Sequence, residues 1–220
     1  MTSSDVRACI QSTGIIPAVR VNSAEDALYA AKTIHTGKIP IAEITMTIPG
    51  ATEVIAQLVR ELPDMVVGAG TCLDCETAKR CLDAGAMFIT STGLDLAVVE
   101  MAKDAGVVVL PGVLTPTEII SAWKAGADFV KVFPCAQMGG EHYVRALKVA
   151  LPHVPLIAAG GVRQSTAPHY IHAGATAIGI GRDLIPNEAV QRRNSDWILE
   201  LAQRFLTLVK TARHEIGWKG

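Results

Sequence analysis

The chain has 220 residues, of which 50% are hydrophobic and 19% are charged, and its formal net charge is −1 at pH 7. This length and composition fit one large domain that buries its own core, and they exclude a disordered chain. The charge leaves no basic surface for nucleic acid, and no apolar run reaches the roughly 18 residues that span a membrane. The polar first residues lack a signal-peptide pattern, so we expect a cytoplasmic protein with no nucleic-acid or membrane partner.

The five cysteines and six histidines show no pattern that predicts a disulfide framework or a metal site. An odd number of cysteines argues against complete pairing. Cys72 and Cys75 match the C-x-x-C spacing, but no second such pair and no histidine pair accompanies them at the spacing of zinc ligands. We therefore expect reduced cysteines, no metal ion and no cofactor.

Strand-like and helix-like segments alternate along the whole chain. The strand candidates are short apolar runs, and several of the helical patterns follow a capping residue such as Ser23, Asp74 or Thr115. The predicted strands are residues 15–19, 41–45, 65–69, 87–91, 107–110, 129–133, 156–159 and 177–180. The predicted helices are residues 6–12, 24–34, 51–62, 75–84, 94–105, 116–124, 141–150, 166–173, the last with Ser165 as its cap, and 196–213.

Several helices end in the same small-residue exit, as in Ala84-Gly85-Ala86 and Ala173-Gly174-Ala175. The exits recur at intervals of roughly 20 to 25 residues, the length of one βα unit. Eight units predict an α/β fold, a single (β/α)8 TIM barrel over residues 1–220 with a short N-terminal helix. We expect the C-terminal helix, 195–213, to pack on the barrel or on a neighbouring subunit. A doubly wound open sheet is the alternative, although no Gly-x-Gly-x-x-Gly follows the first strand.

A single lysine, Lys131, lies in the middle of the apolar strand candidate 129–133. Burying its charge costs on the order of several kcal/mol unless the amine is paired or loses its proton. Burial lowers the pKa of a lysine, and the neutral amine is the form that attacks a carbonyl carbon. Lys131 is therefore a candidate Schiff-base nucleophile. The alternative is a lysine at a strand end that reaches solvent or pairs with a carboxylate.

Other reactive residues follow the predicted strands at the end where barrel sites form. Glu43 lies in an apolar strand, as Lys131 does, and is either its ion-pair partner or the group that moves protons for it. Glycine loops after the last two strands suit a phosphate, although glycines also make tight turns. The candidate substrate-binding residues are Arg20, Thr71, Thr47, Pro111, Phe133, Gly160, Gly161, Gly181 and Arg182.

Together these segments resemble the aldolases of 2-keto-3-deoxy-6-phosphogluconate (KDPG) and 4-hydroxy-2-oxoglutarate (KHG). The similarity runs from about residue 10 to residue 186. Residues 14–20 resemble the family's first strand, residues 43–45 the segment with its general base, and residues 131–134 the segment with its Schiff-base lysine. The resemblance implies a metal-free class I aldolase, commonly a homotrimer, that cleaves a 2-keto-4-hydroxy acid into pyruvate and an aldehyde.

The resemblance also implies a role for each matching residue. Lys131 would form an imine with the C2 carbonyl of the substrate, and Glu43 would move the protons. Arg20 and Thr71 would hold the pyruvyl end, and the glycines of the last two loops would hold a phosphate.

Several residues depart from the family pattern at the mouth of the barrel. Thr47 stands where better-studied members have an arginine, Thr92 replaces a proline, and Arg182 replaces a serine. The reaction type is therefore better supported than the substrate, for which a phosphorylated acid such as KDPG is favoured. The alternatives are a metal-free phosphosugar isomerase or epimerase with Glu43 as its base, and a catalytically silent barrel that binds a small acid.

Overall fold

The computed structural model describes residues 1–218, and residues 219–220 of the predicted domain lie outside that range. Parallel strands alternate with helices along these residues. The strands are β1 (Ile15–Val19), β2 (Ile41–Thr45), β3 (Val66–Gly70), β4 (Phe88–Thr90), β5 (Val108–Leu110), β6 (Gly112–Val113), β7 (Val130–Val132), β8 (Leu156–Ala159) and β9 (Ala177–Ile180). The helices are α1 (Ser3–Thr13), α2 (Ala24–Thr36), α3 (Ala51–Glu61), α4 (Cys75–Asp83), α5 (Leu96–Asp104), α6 (Pro116–Lys124), α7 (Gly140–Ala150), α8 (Ala167–His172), α9 (Asn187–Gln191) and α10 (Ser195–Glu215).

The strands form a barrel with eight strand positions, because β5 and β6 are two pieces of one extended segment. The hydrogen-bonded order is β5-β4-β3-β2-β1-β9-β8-β7-β6, and only Pro111 separates its two ends. Pro111 has no N–H to donate to β4, and the Gly112 N–H donates instead to Ser91 Oγ at 3.0 Å. The Lys131 N–H donates to the Pro111 carbonyl at 3.0 Å and so closes the barrel. The predicted (β/α)8 barrel is confirmed, with its fifth strand divided.

The N-terminal end of the barrel is covered by α1. Thr2 and Asp5 form a capping box at its start, in which each side chain accepts the other's backbone N–H. Val6 and Ile10, one turn apart, are buried beneath it. The helix contacts β1, β5 and β9, and β5 lies opposite β1 in the barrel. The carboxyl end of the strands is therefore the end that stays open.

The last helix, α10, packs on the outside of the barrel. It is 21 residues long and buries Ile198 and Phe205 against α2 and α8. Near its end, Arg213 donates from Nη1 to the Ser12 carbonyl at 2.8 Å and from Nη2 to the Thr176 carbonyl at 2.7 Å. These bonds fix the end of α10 to the same face of the barrel as α1. Among residues 1–218 neither α10 nor another helix has the length and apolar character needed to cross a membrane.

The structure differs from the prediction most around α8 and α9. The helix predicted over residues 166–173 spans only Ala167–His172, and no side chain caps it. Ser165 is therefore not its cap: the preceding turn is held instead by Thr166 Oγ1, which accepts the Arg163 N–H at 3.1 Å. The helix α9 was not predicted, because five residues are too few to show an amphipathic period.

Asp128 joins three parts of the chain at the N-terminal end of β7. Its side chain is only 6% exposed, and its carboxylate accepts from Arg7 Nη1 at 2.9 Å and from the Val109 N–H at 3.0 Å. We expect Asp128→Ala to lower the free energy of unfolding by about 2–4 kcal/mol, because a buried N–H and a partly buried cation lose their acceptor. Urea denaturation measures this loss. The exposed Asp104→Ala is the control, and an equal loss in both variants would contradict the assignment.

Candidate active site

Lys131 is the middle residue of β7, and its side chain points into the barrel. The flanking residues Val130 and Val132 are fully buried. The Lys131 side chain is 9% exposed, and its Nζ lies 3.5 Å from Glu43 Oε2. The centroid of the Phe133 ring lies 5.5 Å from the same nitrogen. A primary amine is thus held in a largely apolar environment beside one carboxylate.

Glu43 reaches the barrel interior from β2, and a glycine on the next strand makes room for it. The parallel register places Glu43 between Ala18 of β1 and Gly68 of β3. A Cβ atom added at Gly70 would lie 2.0 Å from Glu43 Oε1, which is far shorter than any nonbonded contact. The carboxylate therefore occupies the space over Gly70, where its side chain is 5% exposed.

The Lys131–Glu43 pair brings two opposite charges into the barrel interior. Removing an ion from water costs several kcal/mol by order of magnitude, and mutual attraction offsets that cost only while both partners are present. A proton that passes from the ammonium to the carboxylate leaves both groups neutral. The arrangement can therefore produce a nucleophilic amine without adding net charge to the interior.

Cys135, which follows the β7 segment of the site, does not offer a competing nucleophile. Burial raises the pKa of Cys135 to about 12, so its side chain is a thiol at neutral pH. The Cys72 thiol lies 3.9 Å from that of Cys81, and Cys75, the other residue of the C-x-x-C pattern, begins α4. Within residues 1–218 no three His, Cys, Asp or Glu side chains cluster in a way that suits a metal ion.

A cavity of about 370 Å³ opens above Lys131 and Glu43 at the carboxyl end of the barrel. Arg20, Arg163 and Arg182 line its exposed rim together with one acidic residue, Asp183. None of the three arginines forms an ion pair with a carboxylate of residues 1–218. The rim is therefore suited to an anion. The predicted site residues that line the cavity are Arg20, Glu43, Lys131, Phe133, Gly160, Gly161, Gly181 and Arg182.

Gly160 and Gly161 are required by the backbone of the loop after β8. Their φ angles are +84° and +81°, a conformation that other residues adopt only with strain. A Cβ at Gly160 would lie 2.9 Å from Pro134 Cα, and one at Gly161 would lie 2.5 Å from Ala136 Cβ. Packing alone accounts for both glycines. The argument for an anion at this rim therefore depends on the arginines.

Thr47, Thr71 and Pro111 do not line this cavity. Thr47 and Thr71 line a neighbouring depression of about 570 Å³ beside the ends of β2 and β3. Thr71 has a φ of +63°, and strain of this kind is concentrated at functional sites. Its Oγ1 is buried without a hydrogen-bond partner among residues 1–218. Pro111 reaches the site only through its carbonyl, which accepts the Lys131 N–H.

Sequence analysis does not identify some residues of the site. Arg163 and Asp183 line the cavity, and Gly70 makes room for Glu43. Arg163 follows the predicted glycine loop by two positions, and that proximity was an available signal. No sequence pattern indicates the role of Gly70, because that role depends on the contact between Gly70 of β3 and Glu43 of β2.

Several known proteins with related sequences and structures are aldolases. The family model described as KDPG and KHG aldolase matches residues 6–201. The 2-dehydro-3-deoxy-phosphogluconate aldolase of Treponema pallidum (strain Nichols) is 31% identical over 201 residues, which cover 91% of this chain and 95% of the relative.

Solved structures give the same result. The KDPG aldolase of Legionella pneumophila, with pyruvate captured at low pH as a covalent carbinolamine intermediate, superposes with a TM-score of 0.83 at 27% identity and covers 90% of this chain and 96% of that one. The 2-keto-3-deoxy-6-phosphogluconate aldolase of Zymomonas mobilis ZM4 with 3-phosphoglycerate has a TM-score of 0.84 at 25% identity, covering 94% of this chain and 97% of that one. The predicted resemblance is confirmed: this chain belongs to the KDPG and KHG aldolase family, whose named members are carbon–carbon lyases.

Proposed function

We propose that this protein is a class I aldolase that cleaves a 2-keto-3-deoxy-4-hydroxy acid, such as KDPG, into pyruvate and an aldehyde. The observation that carries the proposal is the buried Lys131 amine, 3.5 Å from Glu43 Oε2, beside a cavity open to solvent. The related enzymes are named as aldolases, and the Legionella enzyme holds pyruvate as a covalent carbinolamine. The isomerase and silent-barrel alternatives are therefore not favoured.

Lys131 supplies the nucleophile. Its neutral amine attacks the C2 carbonyl of the substrate to give a carbinolamine, which loses water to form an iminium ion. The C3–C4 bond then breaks, and its electron pair moves toward the iminium nitrogen to give an enamine. Protonation of the enamine at C3 and hydrolysis of the imine release pyruvate and return the free lysine.

Glu43 moves the protons that these steps require. Its carboxylate takes the proton of the C4 hydroxyl as the C3–C4 bond breaks, and the aldehyde leaves. The resulting carboxylic acid returns a proton to C3 of the enamine. Because Glu43 shares the interior with Lys131, one carboxyl group serves both the amine and the substrate.

Two of the rim arginines define the far end of the substrate. Arg163 and Arg182 line the mouth of the cavity at the glycine loops after β8 and β9. A guanidinium group binds phosphate or carboxylate through paired N–H donors. The 3-phosphoglycerate bound by the Zymomonas enzyme supports a phosphorylated tail.

The pyruvyl carboxylate is assigned to Arg20 and Thr71. Thr47, in place of an arginine, adds only a hydroxyl, which lies 2.9 Å from Thr45 Oγ1. Carboxylate binding at this end therefore depends on Arg20, which lines the cavity, and the Thr71 hydroxyl, buried beside the neighbouring depression, is a second, neutral donor.

The family resemblance supports a homotrimer with a cytoplasmic location. A phosphorylated keto acid does not cross membranes unaided, so the enzyme that consumes it works where it is made. Sedimentation equilibrium measures the assembly directly. A monomeric mass at micromolar concentration would contradict the trimer.

We expect borohydride and pyruvate to add a pyruvate-derived mass to Lys131, because reduction traps the imine. Peptide mass spectrometry locates the adduct. Lys131→Ala should show no adduct and no detectable cleavage of KDPG. Lys148→Met is the matched control, because burial lowers the pKa of Lys148 outside the cavity, and this variant should react as the parent protein does. A folded parent protein without an adduct would contradict the aldolase proposal.

Gly70→Ala should lower kcat about 100-fold or more, because the added methyl displaces the carboxylate of Glu43 and general base catalysis contributes 10²–10⁴-fold. Gly93→Ala is the control, since a Cβ at Gly93 meets no atom within 4 Å. Steady-state kinetics measure kcat, and circular dichroism checks that both variants fold. Unchanged turnover in a folded Gly70→Ala protein would show that Glu43 does not act from this position.

We expect Arg163→Ser and Arg182→Ser each to weaken inhibition by inorganic phosphate about tenfold, because each removes a charged donor from the rim. Cleavage of KDPG should lose kcat/KM to a similar extent, while an unphosphorylated analogue should be affected much less. Arg192→Ser is the control, since Arg192 pairs with Glu188 on α9 outside the cavity. Equal phosphate inhibition in all four proteins argues against an anion at this rim.

A further inference from the structure

A buried hydroxyl on β4 has no role in the mechanism above. Thr90 is 1% exposed, and its Oγ1 has no hydrogen-bond partner among residues 1–218. Leaving a buried hydroxyl unpaired costs about 1–3 kcal/mol, and valine would fill nearly the same volume without that cost. The Thr90 hydroxyl therefore needs a hydrogen-bond partner beyond the side chains and backbone groups of residues 1–218.

The register of the sheet directs the Thr90 side chain into the barrel. A Cβ at Gly68 would lie 2.3 Å from the Phe88 ring, so both residues face the same interior space. Side chains alternate along a strand, so Gly70 and Thr90, each two residues further on, face that space as well. The pairing of β3 with β4 sets these two residues side by side.

Glu43 brings one carboxylate oxygen into this space. Its Oε1 lies over Gly70, 2.0 Å from the position of an added Cβ, while its Oε2 lies 3.5 Å from Lys131 Nζ. Neighbouring strands are about 4.8 Å apart, which places the Thr90 side chain one strand away from Oε1, a separation over which a water-mediated hydrogen bond can form. The carboxylate thus has one oxygen directed at the amine and the other directed at Thr90.

We propose that Thr90 is a positioning residue, whose hydroxyl holds Glu43 Oε1 through one bridging water so that Oε2 stays directed at Lys131 and the substrate. The inference rests on the proposed function of Glu43 as the base. The terminal torsion of a glutamate has a broad, two-fold energy profile, so packing alone does not fix the plane of the carboxylate. A hydrogen bond to Oε1 fixes the plane of the carboxylate, and it also provides a hydrogen-bond partner for the Thr90 hydroxyl.

The test compares the parent enzyme with Thr90→Val and Thr90→Ser. Glu43 takes a C3 proton from the pyruvate imine to form the enamine, so deuterium enters the methyl group of pyruvate in D₂O at a rate that depends on this base once the imine has formed. We expect Thr90→Val to lower both this exchange rate and kcat for KDPG cleavage about tenfold. KM should stay within about twofold, and the borohydride adduct at Lys131 should form as in the parent enzyme. Thr90→Ser, which keeps the hydroxyl, should restore most of both rates.

Two results would overturn the inference. One is a Thr90→Val enzyme with parental exchange and kcat; the other is a Thr90→Ser enzyme as slow as Thr90→Val, which would assign the effect to the methyl group. If Thr90→Val does not fold, Thr90→Ala is compared with Thr90→Ser by the same criteria. A parent enzyme that forms no adduct and exchanges no proton refutes the aldolase function itself, and the two failures are therefore distinguishable.

Discussion

The ion pair between Lys131 and Glu43 is the constraint on which the rest of the site depends. Two charges in a barrel interior are tolerated only at short range, here 3.5 Å, and only if the neighbouring strands leave space for them. Gly70 leaves that space on β3, and the barrel brings β2 and β7 together across its axis although 88 positions separate the two residues in the sequence. The same closeness that stabilises the charges lets a proton move between them.

Much of this arrangement could be predicted from the sequence. Charged residues inside apolar strands are conspicuous, so the sequence alone predicts that Lys131 and Glu43 interact. The repeated small-residue exits predict the barrel, because each βα unit ends its helix with the same local sequence pattern. The division of the fifth strand at Pro111 was not predicted, since it results from which strand accepts each hydrogen bond.

The residues that sequence analysis missed owe their roles to contacts between strands or between loops. Gly70 matters because a carboxylate from β2 lies over it, and Thr90 because it stands beside Gly70. Arg163 lines the cavity because the turn after β8 reaches the rim. The sequence places such residues on elements but does not state which neighbours they meet.

The covering of one end by α1, together with the attachment of α10 to the same face, has a practical consequence. Both α1 and the end of α10 lie on the side of the protein away from the cavity. A linker, a fused partner or a solid support tethered near either of these helix ends therefore leaves the path of substrate and product unobstructed. The fold thus suits immobilisation or incorporation into larger designed assemblies with the reactive mouth facing outward.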